Sequence, residues 1–256
     1  MDFFDCNLFY GPDRFENQLV AYDNLDDIKA GLDRAGISGG LIFRADYETT
    51  RANRDLIADL REETRLYGIL QLLPSMTEET PSPAQLPAFM KENRLAAVMF
   101  RPSHHRFMVP FAITDYLTVL QAHRIPVMLN SAWGMPLEKA AEIMEQFPML
   151  TAVLTYNYCW PNDRLLRPFL ERFPNLYLDM TYLLTDYGIP PLVERYGGRR
   201  ILFGSGYPES YLGAHMMVIK HAEICEEDKK LIAGGNFRRL FIDDPIWKGN
   251  RCAYDQ

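Results

Sequence analysis

The chain has 256 residues, 48% of them hydrophobic, and a formal net charge of −7. That length and apolar content fit a single domain spanning residues 1–256 with a sizeable core. The acidic balance, with no Lys/Arg-rich run, argues against a nucleic-acid partner, because neutralising phosphates needs a basic surface.

In chain order, short apolar runs alternate with longer amphipathic stretches. Phe3–Leu8 is the first run, and Leu25, Ile28, Leu32 and Ala35 then repeat at helical spacing before Gly36, a stop signal. Gly39–Phe43 follows, then a helical pattern around Leu56, Ile57 and Leu60, then Tyr67–Leu72 and Ala96–Phe100. Ile125–Leu129 and Thr151–Thr155 come next. Asn162 and Asp163 stand where an N-cap belongs, ahead of a helix carrying Leu165, Leu166, Phe169, Leu170 and Phe173. Leu176–Met180 and Arg200–Gly204 complete the series, and the tail from Glu226 reads as one more helix and a short element at Asn236–Phe241.

Each apolar run has the length and composition of a buried parallel strand. The spacing between runs, ~25 to ~35 residues, leaves room for a crossover helix each time. Eight such units predict a closed α/β barrel, the (β/α)8 TIM-barrel class. An open doubly wound sheet is the alternative, but no Gly-rich phosphate loop follows the first run. The apolar runs fall short of the ~20 residues a membrane span needs, and nothing near Met1 resembles a signal peptide. Cys6, Cys159, Cys225 and Cys252 are scattered without a CxxC pair, which fits reduced thiols in a cytoplasmic protein.

A barrel of this class carries its site at the C-terminal ends of its strands. Those ends read Asp5-Cys6-Asn7-Leu8-Phe9, Phe43-Arg44-Ala45-Asp46 and Arg101-Pro102-Ser103-His104-His105-Arg106. They continue with Asn130-Ser131-Ala132-Trp133, Tyr156-Asn157-Tyr158-Cys159-Trp160, Asp179-Met180-Thr181-Tyr182 and Gly204-Ser205-Gly206-Tyr207-Pro208.

Phe203-Gly204-Ser205-Gly206-Tyr207-Pro208 resembles the F-G-S-D-Y-P signature of the amidohydrolase-related (amidohydrolase 2) family, with Gly206 in place of the aspartate. Ala52-Asn53-Arg54-Asp55, Ile125 to Asn130, Pro174 to Asp179 and Gly234 to Phe241 resemble further family segments in the same order. The resemblance implies a metal-dependent-hydrolase-like barrel that hydrolyses or decarboxylates small acids, amides or lactones. It also implies a divalent ion at positions that here read Asn7, Phe9, Asn130, Tyr156 (Asn157 if the register slips by one) and Gly206. Phe9 and Gly206 offer no side-chain donor, and neutral Asn is a poor zinc ligand. The expectation is therefore no metal and no cofactor.

Among the residues that remain, His104, His105 and Asp179 are candidate catalytic groups. Imidazole titrates near working pH, and the rival reading of the histidines is a loop pair that shapes the rim. Arg44, Arg101 and Arg106 could hold a carboxylate or phosphate, or pair with Asp5, Asp46 or Asp179 instead. Asp5 shares strand parity with Asn7 and Phe9, so its side chain is expected inside the barrel. Asn7, Asn130 and Asn157 add polar contacts. Trp133, Tyr156, Trp160, Tyr182 and Tyr207 give the mouth an aromatic lining, as a pocket wall or as filler. Glu209 reads as a solvated loop residue, and His123, His215 and His221 as surface or core-packing residues of the outer helices.

Three readings follow: a metal-independent hydrolase or lyase acting on a small anionic compound such as a lactone or carboxylate; a non-catalytic member that binds a ligand or protein at the mouth; and a hydrolase whose metal site has moved. The expected partner is a small anionic molecule, with no nucleic acid and no membrane, and a symmetric homo-oligomer is in keeping with the class.

Overall fold

The apolar runs form strands and the periodic stretches form helices, in the order the sequence sets out. The computed structural model describes residues 1–12, 22–74, 79–102, 110–131, 134–155, 163–183 and 188–243. The first half of the sheet is β1 (Phe3–Tyr10), β2 (Ile37–Arg44), β3 (Leu66–Leu72) and β4 (Leu95–Phe100). The second is β5 (Val127–Asn130), β6 (Ala152–Thr155), β7 (Leu176–Asp179) and β8 (Ile201–Leu202). Between them run α1 (Leu25–Ala35), α2 (Thr49–Asp59), α3 (Leu86–Glu92) and α4 (Thr114–Ala122). α5 (Leu137–Gln146), α6 (Asp163–Arg172), α7 (Pro190–Tyr196) and α8 (Leu212–His221) complete the ring.

Local chemistry sets the limits of α1. The Asn24 side chain accepts from the Asp27 N–H at its start, and Gly36 turns left-handed at its end with φ 73°. Every strand of the eight-stranded sheet pairs in parallel with its neighbour in sequence order. The two ends of the sheet then meet: Cys6 N–H donates to Phe203 O (2.9 Å), Gly206 N–H to Asn7 O (3.1 Å) and Phe9 N–H to Tyr207 O (3.1 Å). The sheet thereby closes as a barrel, and the open doubly wound alternative is excluded. Among the described residues, no helix is long and apolar enough to cross a membrane.

Side-chain alternation divides the core in two. Leu70, Val98, Leu129, Leu154, Leu178 and Phe203 pack outward under the helices. Ile69, Met99, Met128, Val153 and Leu202 form the barrel interior together with Phe4, Cys6, Phe9, Leu41 and Phe43. The tail enters this interior from the strands' N-terminal end. α9 (Glu226–Lys230) leads into turns with π-type bonding at Leu231–Gly235 and Arg238–Asp243, so the helix and short element expected there form one helical run. Its Phe237 stacks on Phe4 at 5.2 Å and meets Phe241 at 4.9 Å. Aromatic side chains thus fill the bottom of the barrel.

Candidate functional site

Two residues beyond the inner apolar layer, the same face turns polar. Gln71 follows Ile69, Arg101 follows Met99, Asn130 follows Met128 and Thr155 follows Val153, each two positions on and each buried. Asp179 follows Tyr177 on β7 in the same way, while Gly204, two residues past Leu202 of β8, stands at this level. Asn130 and Thr155 lie directly opposite each other in the β5–β6 ladder. Burial of polar side chains at one level around a barrel needs partners or a ligand, since an unsatisfied buried group costs about 1–3 kcal/mol.

Asp179 is the most heavily bonded member of this belt. Its Oδ1 accepts from the Thr181 N–H (2.9 Å), and the Thr181 hydroxyl lies 2.7 Å from both carboxylate oxygens. The Asn7 side-chain amide donates to Asp179 Oδ2 (2.9 Å) and to Thr181 Oγ1 (3.0 Å). Gly204 leaves the space this carboxylate fills, because a Cβ there would overlap Asp179 Oδ1. Burial pushes the Asp179 carboxyl up to about 6; the Thr181 bonds oppose that rise, and the charge of Asp5 adds to it. A carboxyl titrating near 6 has the balance that general acid–base work requires.

Arg101 closes the other side of the belt. Its Nη1 donates to Asp46 O (3.0 Å) and to Gln71 Oε1 (3.1 Å). Gln71 is itself fixed, donating through Nε2 to Arg44 O (2.7 Å), while its backbone N–H and C=O bond the Asn53 side chain at 3.0 and 2.8 Å. Thr155 Oγ1 is buried and finds no hydrogen-bond partner among the described residues. The belt therefore joins a guanidinium, amides, a hydroxyl and a titrating carboxyl around one interior.

Several expected residues are placed elsewhere. Arg44 alternates away from Phe43 and faces the helices: it lies over the Tyr10 ring at 5.4 Å and 3.8 Å from Asp55 of α2. It is not brought to Arg101. Asp46 takes Arg51 as its partner, through bonds of 2.6 and 3.0 Å, and against the upward push of burial these hold it below the usual carboxylate range. Tyr207 packs on α1 with its hydroxyl against Gly31, and its ring meets Tyr22 edge-on at 5.5 Å, so it does not join the belt. Tyr182 is half-buried next to Thr181.

Asp5 corrects the parity argument. Phe4, Cys6 and Phe9 all face inward, so β1 changes face between Cys6 and Phe9, and its pairing with β2 shifts between Asp5 and Leu8. Asp5 instead bonds the N–H groups of Asn7 (2.9 Å) and Ser205 (3.2 Å). Burial raises its carboxyl, and the Ser205 side chain, followed by those N–H bonds, only partly offsets the rise. His215 lies on the outer helix α8 and packs into the core, one of the two placements expected of it, with Nε2 2.7 Å from Thr181 O.

His104, His105, Arg106, Trp133, Tyr156, Asn157 and Trp160 lie outside the described residues. Gln71, Thr155 and Thr181 are additions to the sequence reading, and the period-two step beyond an inward apolar residue was the signal for the first two. The described positions of the family's ion do not fit one. Phe9 stacks on Phe43 at 5.5 Å, Gly206 has no side chain, and the Asn7 amide is turned to Asp179. Among the described residues, no three His, Cys, Asp or Glu side chains come together as a metal site.

No family model matches the chain, and no curated protein does. Solved structures do. It is similar to 5-carboxyvanillate decarboxylase from Sphingomonas paucimobilis, with 13% identity, a TM-score of 0.70, and 94% of this chain and 98% of that one covered. A probable 2-pyrone-4,6-dicarboxylic acid hydrolase from Acinetobacter baumannii, with citric acid bound, gives 14% identity, a TM-score of 0.69, and coverage of 94% and 99%. A dihydroxybenzoic acid decarboxylase from a Polaromonas species, with bound manganese and 2-nitroresorcinol, gives 16%, 0.68, and 94% and 96%. At these identities the likeness shows the fold.

Proposed function

We propose that this barrel is an amidohydrolase-like enzyme acting, without a metal, on a small carboxylate by hydrolysis or decarboxylation. The observation that carries the reading is Asp179: a buried carboxyl titrating near 6, on the inner belt at the C-terminal end of β7. Support comes from the neighbours' names, which are those of decarboxylases and a hydrolase of small carboxylates. In this reading Asp179 moves the proton, as base when ionised and acid when protonated. Arg101 holds the substrate's anionic group, and Asn7, Asn130 and Thr155 orient it by hydrogen bonds. His104, His105 and Arg106 follow β4 and belong to the same proposal as a second proton carrier and a second anion contact.

The test is turnover of 5-carboxyvanillate, dihydroxybenzoates and 2-pyrone-4,6-dicarboxylate by the chelator-treated protein. Evolved carbon dioxide marks decarboxylation, and loss of the pyrone absorbance marks ring opening. Asp179→Asn should lower kcat/KM by about 10²-fold or more. Binding of these acids with no product would support the non-catalytic reading instead.

A further inference from the structure

β1 changes face part-way along its length, and Asp5 stands where it does so. Strict alternation from Phe4 and Cys6 would put Leu8 inside, yet Leu8 packs outward and Phe9 inward. One residue, Asn7, absorbs the difference. The Asp5 Oδ1 atom holds that turn, accepting from the Asn7 N–H at 2.9 Å and, beyond β8, from the Ser205 N–H at 3.2 Å. From the turn, the Asn7 side chain reaches across to Asp179 Oδ2 at 2.9 Å.

We propose that Asp5 is a positioning residue for Asp179, fixing the turn of β1 from which Asn7 grips the Asp179 carboxylate. The inference rests on the reading of Asp179 as the proton-transfer group. A buried carboxylate is costly to keep, and a fully buried apolar residue would pack β1 to β8 without that cost. Asp5 is fully buried, and its Oδ2 has no hydrogen-bond partner among the described residues, so its bonds run through the one oxygen that organises Asn7 and Ser205. β7 uses the same device, with Asp179 Oδ1 accepting from the N–H two residues on.

The experiment is a pH series, from about 4 to 8, of the Asn7 side-chain amide signal in a ¹⁵N-labelled sample, assigned by its disappearance in Asn7→Ser. In the unaltered protein the signal should move with a midpoint near 6, following the carboxylate it bonds. Asp5→Ala removes the acceptor, so that movement should be lost. Asp5→Asn keeps an acceptor oxygen and the turn but removes the like charge, so the movement should persist with its midpoint at lower pH. An Asp5→Ala signal that titrates as in the unaltered protein would overturn the proposal, as would loss of the movement in Asp5→Asn. Should Asp5→Ala fail to fold, Asp5→Leu, which fills the space without an acceptor, is read in its place with the same two outcomes. Turnover is not read here. If Asp179→Asn proves fully active while the Asn7 signal behaves as described, the functional reading fails and the role of Asp5 stands.

Discussion

A carboxyl whose folded-state value lies above its ordinary one weakens the fold as it ionises. For Asp179 the ordinary value is 3.8 and the folded one about 6. The protonated form is the one the core favours, so its contribution to stability is full below about 4 and is lost as pH rises through about 6. A rise of about two units corresponds to roughly 3 kcal/mol at 1.36 kcal/mol per unit. Denaturant titrations at pH 4 to 8 should therefore show a decline in the unaltered protein that is shallower in Asp179→Asn, the remainder coming from the raised carboxyl of Asp5; parallel curves for the two proteins would contradict it. Gly204 is the neighbour that makes room. Gly204→Ala forces its Cβ onto Asp179 Oδ1, and the expected cost is about 1–3 kcal/mol in unfolding free energy together with loss of any Asp179-dependent turnover. Residue-level detail was partly legible in the sequence. Asp179 and Asn7 stand out at strand ends, but the Asn7–Asp179 bond joins positions 172 apart and has no local signal.

Elements were legible almost throughout, because a buried parallel strand needs an unbroken apolar run and a crossover helix needs a period near 3.6. The stretches expected at Ile125–Leu129 and Arg200–Gly204 became Val127–Asn130 and Ile201–Leu202, differences in where the strands begin and end. The sequence reading failed at β1. Perfect alternation assigned Asp5 to the interior, and a side chain accepting from the N–H two residues on is enough to break alternation. α2 carries a comparable tie that the sequence hid. Asn53 pairs with both backbone groups of Gln71, and Gln71 in turn accepts from Arg101. Asn53→Ala leaves that strand backbone unpaired and should cost about 1–3 kcal/mol by chemical denaturation. Asn53→Asp keeps the acceptor for the Gln71 N–H but sets a buried carboxylate oxygen against the Gln71 carbonyl, so it should destabilise more at pH 8 than at pH 4, where the protonated acid can donate.

At the scale of the whole molecule, the barrel separates stability from site chemistry along its axis. Phe4, Phe237 and Phe241 fill one end, and the polar belt from Gln71 to Asp179 lines the interior towards the other. Phe237→Ala removes a fully buried ring from the plug and should lower unfolding free energy by about 3–5 kcal/mol, with Asp179 still titrating near 6. A change in that titration would mean the two ends are coupled. The central claim is that Asp179 on this belt carries proton transfer without a metal. Its most direct test is the kcat/KM of chelator-treated protein and of Asp179→Asn on the carboxylate that turns over best. The account predicts full activity after chelation and a loss of about 10²-fold or more in the variant. Activity that vanishes on chelation and returns with a divalent cation, or an Asp179→Asn variant as active as its parent, would contradict it.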